Sequence, residues 1–289
     1  MRYGFFPGCT YKGSAGYKES TEAVSRILGT ELAEIDGWNC CGATSYWSLE
    51  DLPAVVLPAR VMALAEKQGF AEVVNVCNAC YSTLRKAQDK LAKDDTLKAQ
   101  VNEALAEESL SYSGSTRIRH YMEVLVNDLD PHEIEKHIKV DLTELTVAPY
   151  YGCQLNRPWG DMDDLQHPLM MDRLIETLGA GVAADYSAKT ICCGASHMMP
   201  YEKSCLPQIR RIISDALAKG ARAISTVCPL CQFNVDASQS GVNLPEVPVL
   251  FFTQLLGLAF GLGETDLQLK KLLVPFKKSE ALSVKSEAF

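Results

Sequence analysis

The sequence predicts an α/β protein of two pseudo-symmetric, Rossmann-like lobes, each built on a mostly parallel sheet. Three observations predict it. Ten of the eleven cysteines fall into two copies of one pattern, a single Cys, then Cys-Cys-Gly, then Cys-x-x-Cys. The segments flanking each group repeat as well, which marks a duplicated unit. Short β-prone runs alternate with helix-length apolar periodicity, the order that builds βαβ units and a parallel sheet.

The first copy opens on a β-prone run at 3–6 leading into Gly8-Cys9, and its twin runs from 147 to 151 into Gly152-Cys153. A helical pattern follows each. Val24, Ile27 and Leu28 share a face before Gly29, as Leu174, Ile175 and Leu178 do before Gly179. Next come Cys40-Cys41-Gly42 and Cys192-Cys193-Gly194, after gaps of 30 and 38 residues. A second helix is expected at about 57–68, closed by Gly69, and at about 209–219, closed by Gly220. Buried-strand runs at 73–76 and 223–227 then enter Cys77-x-x-Cys80 and Cys228-x-x-Cys231, with gaps of 35 and 34 residues from the cysteine pairs. The units also end alike, IRHYMEVLV at 118–126 and VLFFTQLLG at 249–257. Each cysteine group therefore sits just past the C-terminal end of a strand, the edge at which open α/β sheets build ligand sites.

The expected division is a first lobe at 1–126, a polar linker at 127–145 containing Pro131, a second lobe at 146–262 and a tail at 263–289. A charged helical insertion at about 83–107 has no counterpart in the second lobe. The lysine-bearing tail reads as a loosely held docking segment. The apolar stretch 247–262 is interrupted by Thr253 and Gln254 and is shorter than the ~20 residues that span a bilayer. It reads as a buried helix, and no transmembrane segment is expected.

The chain has 289 residues, 47% hydrophobic and 22% charged, with a formal charge of −8. That is ordinary globular composition. The acidic balance points away from nucleic acid and anionic membrane surfaces and toward solubility and basic docking partners. The opening MRYGFFPGC lacks the apolar core and cleavage site of a secretory signal. The expected compartment is the cytoplasm, where structural disulfides are rare, so the cysteines read as ligands.

Thiolates suit zinc, copper(I) and iron–sulfur clusters. A structural zinc site uses four ligands, usually as two closely spaced pairs. Each group here offers five, two of them adjacent, and neighbouring residues reach two irons of an extended cluster more easily than one small ion. Iron–sulfur clusters are the natural occupants. Gly42 and Gly194 would bring backbone N–H groups close to the sulfur atoms. Structural zinc and redox-active vicinal disulfides at Cys40-Cys41 and Cys192-Cys193 are the alternatives. Cys205, with no twin in the first copy, reads as a packed thiol.

With these residues in view, the chain resembles the cysteine-rich CCG family. FFPGC, YYGC, CCGATS and CCGAS are most similar to the B subunit of heterodisulfide reductase and its bacterial relatives, including those of sulfur-oxidising complexes. The resemblance implies two noncubane [4Fe–4S] clusters. One would be held by Cys9, Cys40, Cys41, Cys77 and Cys80, the other by Cys153, Cys192, Cys193, Cys228 and Cys231. It also implies two partners, homologues of the ferredoxin-like C subunit of heterodisulfide reductase and of its flavin-containing A subunit. No GxGxxG opening a helix and no Walker A motif occurs in the chain, so electrons are expected from a separate protein.

Breaking a disulfide takes two electrons, and two clusters facing one cleft can deliver one each. The substrate, a thiol/disulfide pair or a sulfur-carrier protein, is expected between the lobes above the Cys-Cys-Gly loops. The same arrangement run backwards would oxidise two thiols. His197, in CCGASH, is a candidate proton donor because imidazole titrates near neutrality. Lys12 and Arg157 are candidate substrate contacts. His120, His132, His137 and His167 carry no motif and read as structural or exposed. Two other functions remain open, an iron–sulfur relay in a lactate- or glycolate-oxidising complex and a zinc-filled scaffold.

Overall fold

A computed structural model of the chain describes residues 1–43 and 45–277. The first half runs β1 (Arg2–Phe6), α1 (Tyr17–Ile27), β2 (Glu31–Glu34), α2 (Asp51–Lys67), β3 (Glu72–Asn75), α3 (Asn78–Leu91), α4 (Asp95–Ala106), β4 (Arg117–His120) and α5 (Tyr121–Asn127). After a short α6 (Pro131–Glu135), the second half runs β5 (Thr146–Tyr150), α7 (Met170–Thr177), β6 (Gly181–Val182), α8 (Met198–Ala218), β7 (Ala223–Thr226), α9 (Pro229–Ala237), β8 (Val249–Phe251) and α10 (Phe252–Ala259). Each half forms a four-stranded sheet, β2-β1-β3-β4 and β6-β5-β7-β8. Every pairing is parallel.

The central strands read as apolar because helices cover both sheet faces, as all-parallel sheets require. Phe5, Phe6, Val73, Val74, Val147, Ala148, Ile224 and Val249 are all buried. The edge strands β2 and β6 are only half-buried. ELAE and GV lack an apolar run, so neither strand was expected from the sequence.

The halves exchange helices. α1 packs on α10 of the second half, and α7 packs on α5 of the first. At the first contact the Tyr17 ring stacks on Phe251, with centroids 3.7 Å apart and planes 4° from parallel. Ser20 and Thr253 share a buried hydroxyl–hydroxyl bond of 2.7 Å. The two sheets thus share one apolar core.

Four expectations need correction. The insertion is narrower than 83–107, because α3 continues directly from Cys77-x-x-Cys80 and α9 is its shorter counterpart. What is unmatched is the outer part of α3 plus α4, which lies on α2. The linker is not simply polar. Asp130 caps α6 by accepting the His132 N–H at 2.9 Å, and Ile134, Leu142 and Leu145 are buried. The apolar stretch 247–262 is a strand followed by a helix, β8 then α10, rather than one helix. Residues 264–277 are not loosely held. Leu267, Leu269, Leu272 and Phe276 are buried, and the Asp236 carboxylate accepts the N–H groups of Leu273 and Val274 at 2.9 and 3.0 Å. The remainder of the expected docking tail, 278–289, lies outside the described residues.

A polar knot closes the first sheet beside β4. Arg119 is buried and donates to Glu123 at 3.0 Å and to both Asp128 oxygens at 2.5 and 2.8 Å. The Tyr3 hydroxyl donates to Asp128 at 2.7 Å. The Arg119 hydrogen bonds hold the Asp128 carboxyl below its ordinary range. A carboxyl with a depressed folded-state pKa adds stability above its unfolded value, and that stability is lost as pH falls through the folded one. Denaturant midpoints should therefore fall as pH drops below about 4, the unperturbed Asp value. The fall between pH 5 and pH 3 should be smaller in Asp128→Asn; equal slopes would refute this.

Candidate metal centre

The backbone brings each cysteine group together in the same way. Cys9 and Cys153 follow β1 and β5 through Gly8 and Gly152, whose φ angles are +71° and +70°. Left-handed torsions suit glycine, and here space demands it as well. A Cβ at Gly8 would stand 2.8 Å from the Cys80 sulfur, and one at Gly152 would stand 2.9 Å from that of Cys231. Cys77 and Cys228 are the extended residues that precede α3 and α9. Cys80 and Cys231 therefore lie in the first turn of a helix, where the positive end of the dipole favours thiolate. The Cys-Cys-Gly loops close each group from above, with Gly194 N–H 3.3 Å from the Cys192 sulfur.

The ten thiols form a twofold-symmetric chain of interactions. Cys9 meets Cys40, Cys41 meets Cys80 and Cys80 meets Cys77. In the second half Cys153 meets Cys192, Cys193 lies 3.7 Å from Cys231, and Cys231 meets Cys228. At the centre, Cys77 of one half faces Cys228 of the other. Cys41, Cys77, Cys80, Cys193, Cys228 and Cys231 are buried, whereas Cys9, Cys40 and Cys192 reach the surface.

On all of these thiols other than Cys9 and Cys40, the strongest influence is another thiol. Hydrogen bonding from Cys153 lowers Cys192 to about 6, and hydrogen bonding from Cys80 lowers Cys41 to about 7. The donors Cys153 and Cys80 are pushed up in turn. Such a crowd of thiols holds its full negative charge only when a cation compensates it, and the donor set fits soft, thiophilic metal. Among the described residues no three His, Cys, Asp or Glu side chains close around one ion-sized point. Five sulfurs spread this way, with backbone N–H groups turned onto them, fit a multi-iron cluster better than a single zinc.

A cavity of about 100 Å³ opens over the second group. Cys153, Cys192, Cys193, Cys228 and Cys231 line it together with Ala43 and Asn78 of the first half. Both Cys-Cys-Gly loops thus contribute to one opening. The other predicted site residues lie around it rather than in it. His197 is exposed, 3.3 Å from the hydroxyl of cavity-lining Ser196, and its charge acts on Cys192. Lys12 pairs with Glu34 at 3.4 Å, and Arg157 turns to Thr190 and the Leu165 carbonyl. Neither Lys12 nor Arg157 borders this cavity. Cys205 is buried under the second loop and donates to the Gly194 carbonyl at 3.5 Å.

Two residues at the centre were not anticipated. Asn78 crosses to the second half, where its side chain donates to the Tyr151 carbonyl at 2.6 Å. His120 is fully buried beside Cys228, and burial lowers its pKa to about 4. Its Nδ1 accepts the Met122 N–H, so the neutral ring carries its proton on Nε2, the nitrogen left for the Val227 backbone. Only Asn78 had a signal in the sequence, its place between two candidate ligands.

The cysteine-rich domain model matches residues 3–85 and again 147–236, the two halves just described. The chain belongs to the CCG family. Its similarity to other proteins extends over nearly the whole length. It is 33% identical to the 8-methylmenaquinol:fumarate reductase membrane anchor subunit of Wolinella succinogenes, over 96% of this chain and 98% of that one. It is 31% identical to the B subunit of the ferredoxin:CoB-CoM heterodisulfide reductase of Methanosarcina mazei, over 92% and 91%. A protein of Archaeoglobus profundus, named as like the heterodisulfide reductase B subunit, is 29% identical over 90% and 91%. These relatives are named as subunits of oxidoreductases or as similar to one. Among solved structures, a hypothetical protein from Helicobacter pylori shares the fold, with a TM-score of 0.72 at 14% identity. It covers 96% of this chain, which spans 52% of that one. Among the described residues no helix is long and apolar enough to cross a membrane.

Proposed function

We propose that the protein is the catalytic iron–sulfur subunit of a heterodisulfide reductase-like complex. The reaction is R–S–S–R′ + 2 e⁻ + 2 H⁺ → R–SH + R′–SH, or its reverse. The observation that carries this reading is the meeting of the two cysteine groups at Cys77 and Cys228, under a cavity lined from both halves. Cys9, Cys40, Cys41, Cys77 and Cys80 would hold one noncubane [4Fe–4S] cluster, and Cys153, Cys192, Cys193, Cys228 and Cys231 the other. When bound, the two clusters supply the two electrons and soft metal for sulfur.

The chain's own residues shape the opening. Ala43, Ala79 and Ala195 leave room for a substrate sulfur pair, and Leu230 gives it an apolar wall. Gln154 and Ser196 offer hydrogen bonds at the rim. His197, beside Ser196, is the proposed proton donor. Electrons come from a ferredoxin-like partner served by a flavoprotein, and the cytoplasm is the proposed compartment.

A second reading rests on another opening. A hollow of about 470 Å³ lies beside Cys9, rimmed by the exposed apolar side chains of Leu230, Phe233 and Leu273. Its size and apolar rim suit a quinol ring, the substrate class in the name of the Wolinella relative.

One experiment separates the readings. Anaerobically purified protein should carry about eight irons, by the count of two four-iron clusters. The chemically reduced protein is mixed in turn with disulfides and a menaquinone analogue, and the oxidised protein with lactate or glycolate. Reoxidation by disulfides is the expected result. Reoxidation by the quinone alone selects the second reading, and electron uptake from the hydroxyacids alone selects a relay role. A zinc-filled, iron-free protein would leave only a scaffold. His197→Ala should lower turnover at full iron content, and unchanged turnover would remove the proton-donor role.

A further inference from the structure

The two Cys-x-x-Cys turns have the same backbone and differ at both intervening residues, Asn78-Ala79 against Pro229-Leu230, of which the first pair changes the backbone's donors. Cys77 (φ −135°, ψ 123°) and Cys228 (φ −131°, ψ 124°) precede their helices in almost identical conformations. The first helical residue is Asn78 in one half and Pro229 in the other. Asn78 is 2% exposed and borders the cavity of the second half. Its Nδ2 donates to the Tyr151 carbonyl at 2.6 Å, which ties the turn across the lobe boundary. Gly152 keeps that passage open, since a Cβ there would stand 3.3 Å from Nδ2. Held in this position, Asn78 lines the same cavity as Cys228, and its backbone N–H acts on that sulfur from across the boundary, favouring the thiolate.

The pseudo-twofold image of that bond would run from the N–H of residue 229 to Cys77. Proline has no N–H. The backbone bond that acts on Cys77 comes from Cys80, within its own half. One group therefore receives a donor across the boundary that the other cannot receive. A hydrogen bond to an anionic sulfur is strong, and in a buried site it favours the more negative, reduced state.

We propose that the Asn78/Pro229 difference makes the two cysteine groups unequal electron acceptors, the second-half group being the easier to reduce. This rests on the reading that each group holds an iron–sulfur cluster. A single electron given by a one-electron donor protein settles first in the second half, above which the 100 Å³ cavity opens. The first-half group fills afterwards, and no bond is broken in either step.

The test is a redox titration of the whole protein, followed by electron paramagnetic resonance, with iron determined on the same samples. Wild-type protein should show two separate one-electron steps. Pro229→Ala restores the missing N–H, and should raise the lower step by roughly a tenfold change in equilibrium, about 59 mV, while the upper step stays. Asn78→Pro should lower the upper step by a similar amount. Proline is tolerated at the first helical position, and the extended torsions of Cys77 suit a residue before proline. Should Asn78→Pro fail to fold, Pro229→Ala decides alone. Iron-free protein would overturn the cluster reading itself. Iron-loaded Pro229→Ala with both steps where they stood would overturn this inference only.

Discussion

Cys41→Ser and Cys193→Ser are each expected to strip about half of the iron and to abolish disulfide turnover. Both thiols are buried at the inner edge of their group, Cys41 against Cys80 and Cys193 at 3.7 Å from Cys231. Serine keeps the shape but replaces a soft thiolate with a hydroxyl that stays protonated, a poor partner for iron–sulfur clusters. Loss of an outer-shell partner costs roughly 10–100-fold in affinity or activity, and loss of a ligand should exceed that. Because each half builds its own five-thiol group, the untouched group should keep its iron, so half-loading rather than full loss is the signature. Cys205→Ser is the control. Its sulfur touches the Gly194 carbonyl and belongs to neither group, so iron should stay complete. Full iron in Cys193→Ser with loss in Cys205→Ser would sink the ligand assignment.

The largest stability effect is expected at Tyr17. Its ring is fully buried and stacked on Phe251, and its hydroxyl donates to the Val76 carbonyl at 2.7 Å, with the Val227 carbonyl at 3.2 Å. Those two carbonyls immediately precede Cys77 and Cys228, so one phenol ties the ends of both central strands together. Truncating a buried aromatic side chain costs about 3–5 kcal/mol through lost contacts and the cavity left behind. Tyr17→Ala should therefore unfold at much lower denaturant. Tyr17→Phe keeps the stack and should lose only about 1 kcal/mol, one hydrogen bond's worth. Urea melts of the two variants measure the difference. Near-equal midpoints would show that packing at this position contributes little.

Much of the architecture was legible because duplication shows directly in the residues. The central strands β1, β3, β5 and β7 are buried on both faces and contain short apolar or β-branched runs, and a glycine closes the helix after each lone cysteine. The ten cysteines, spaced alike in both copies, do converge in space. What stayed hidden depends on neighbours distant in sequence. β2 and β6 lie at sheet edges and need no apolar run to pair. The exchange of α1 and α7 between halves is a tertiary event with no local pattern. His120 is one residue in RIRHY, and its place beside Cys228 follows only from how the halves dock. The packing of 264–277 has no α-helix or strand to mark it in the sequence, since Leu267, Leu269, Leu272 and Phe276 are buried singly, each between more exposed residues.

The helix exchange also bears on how the protein matures. A nascent chain that has emerged as far as β4 carries five thiols but not α10, the surface against which α1 must settle. Until α10 has been made, α1 lacks that surface, and the early thiols wait in an incompletely packed half. On the proposed cluster reading, the first group becomes fit to hold its metal only once α10 has been made.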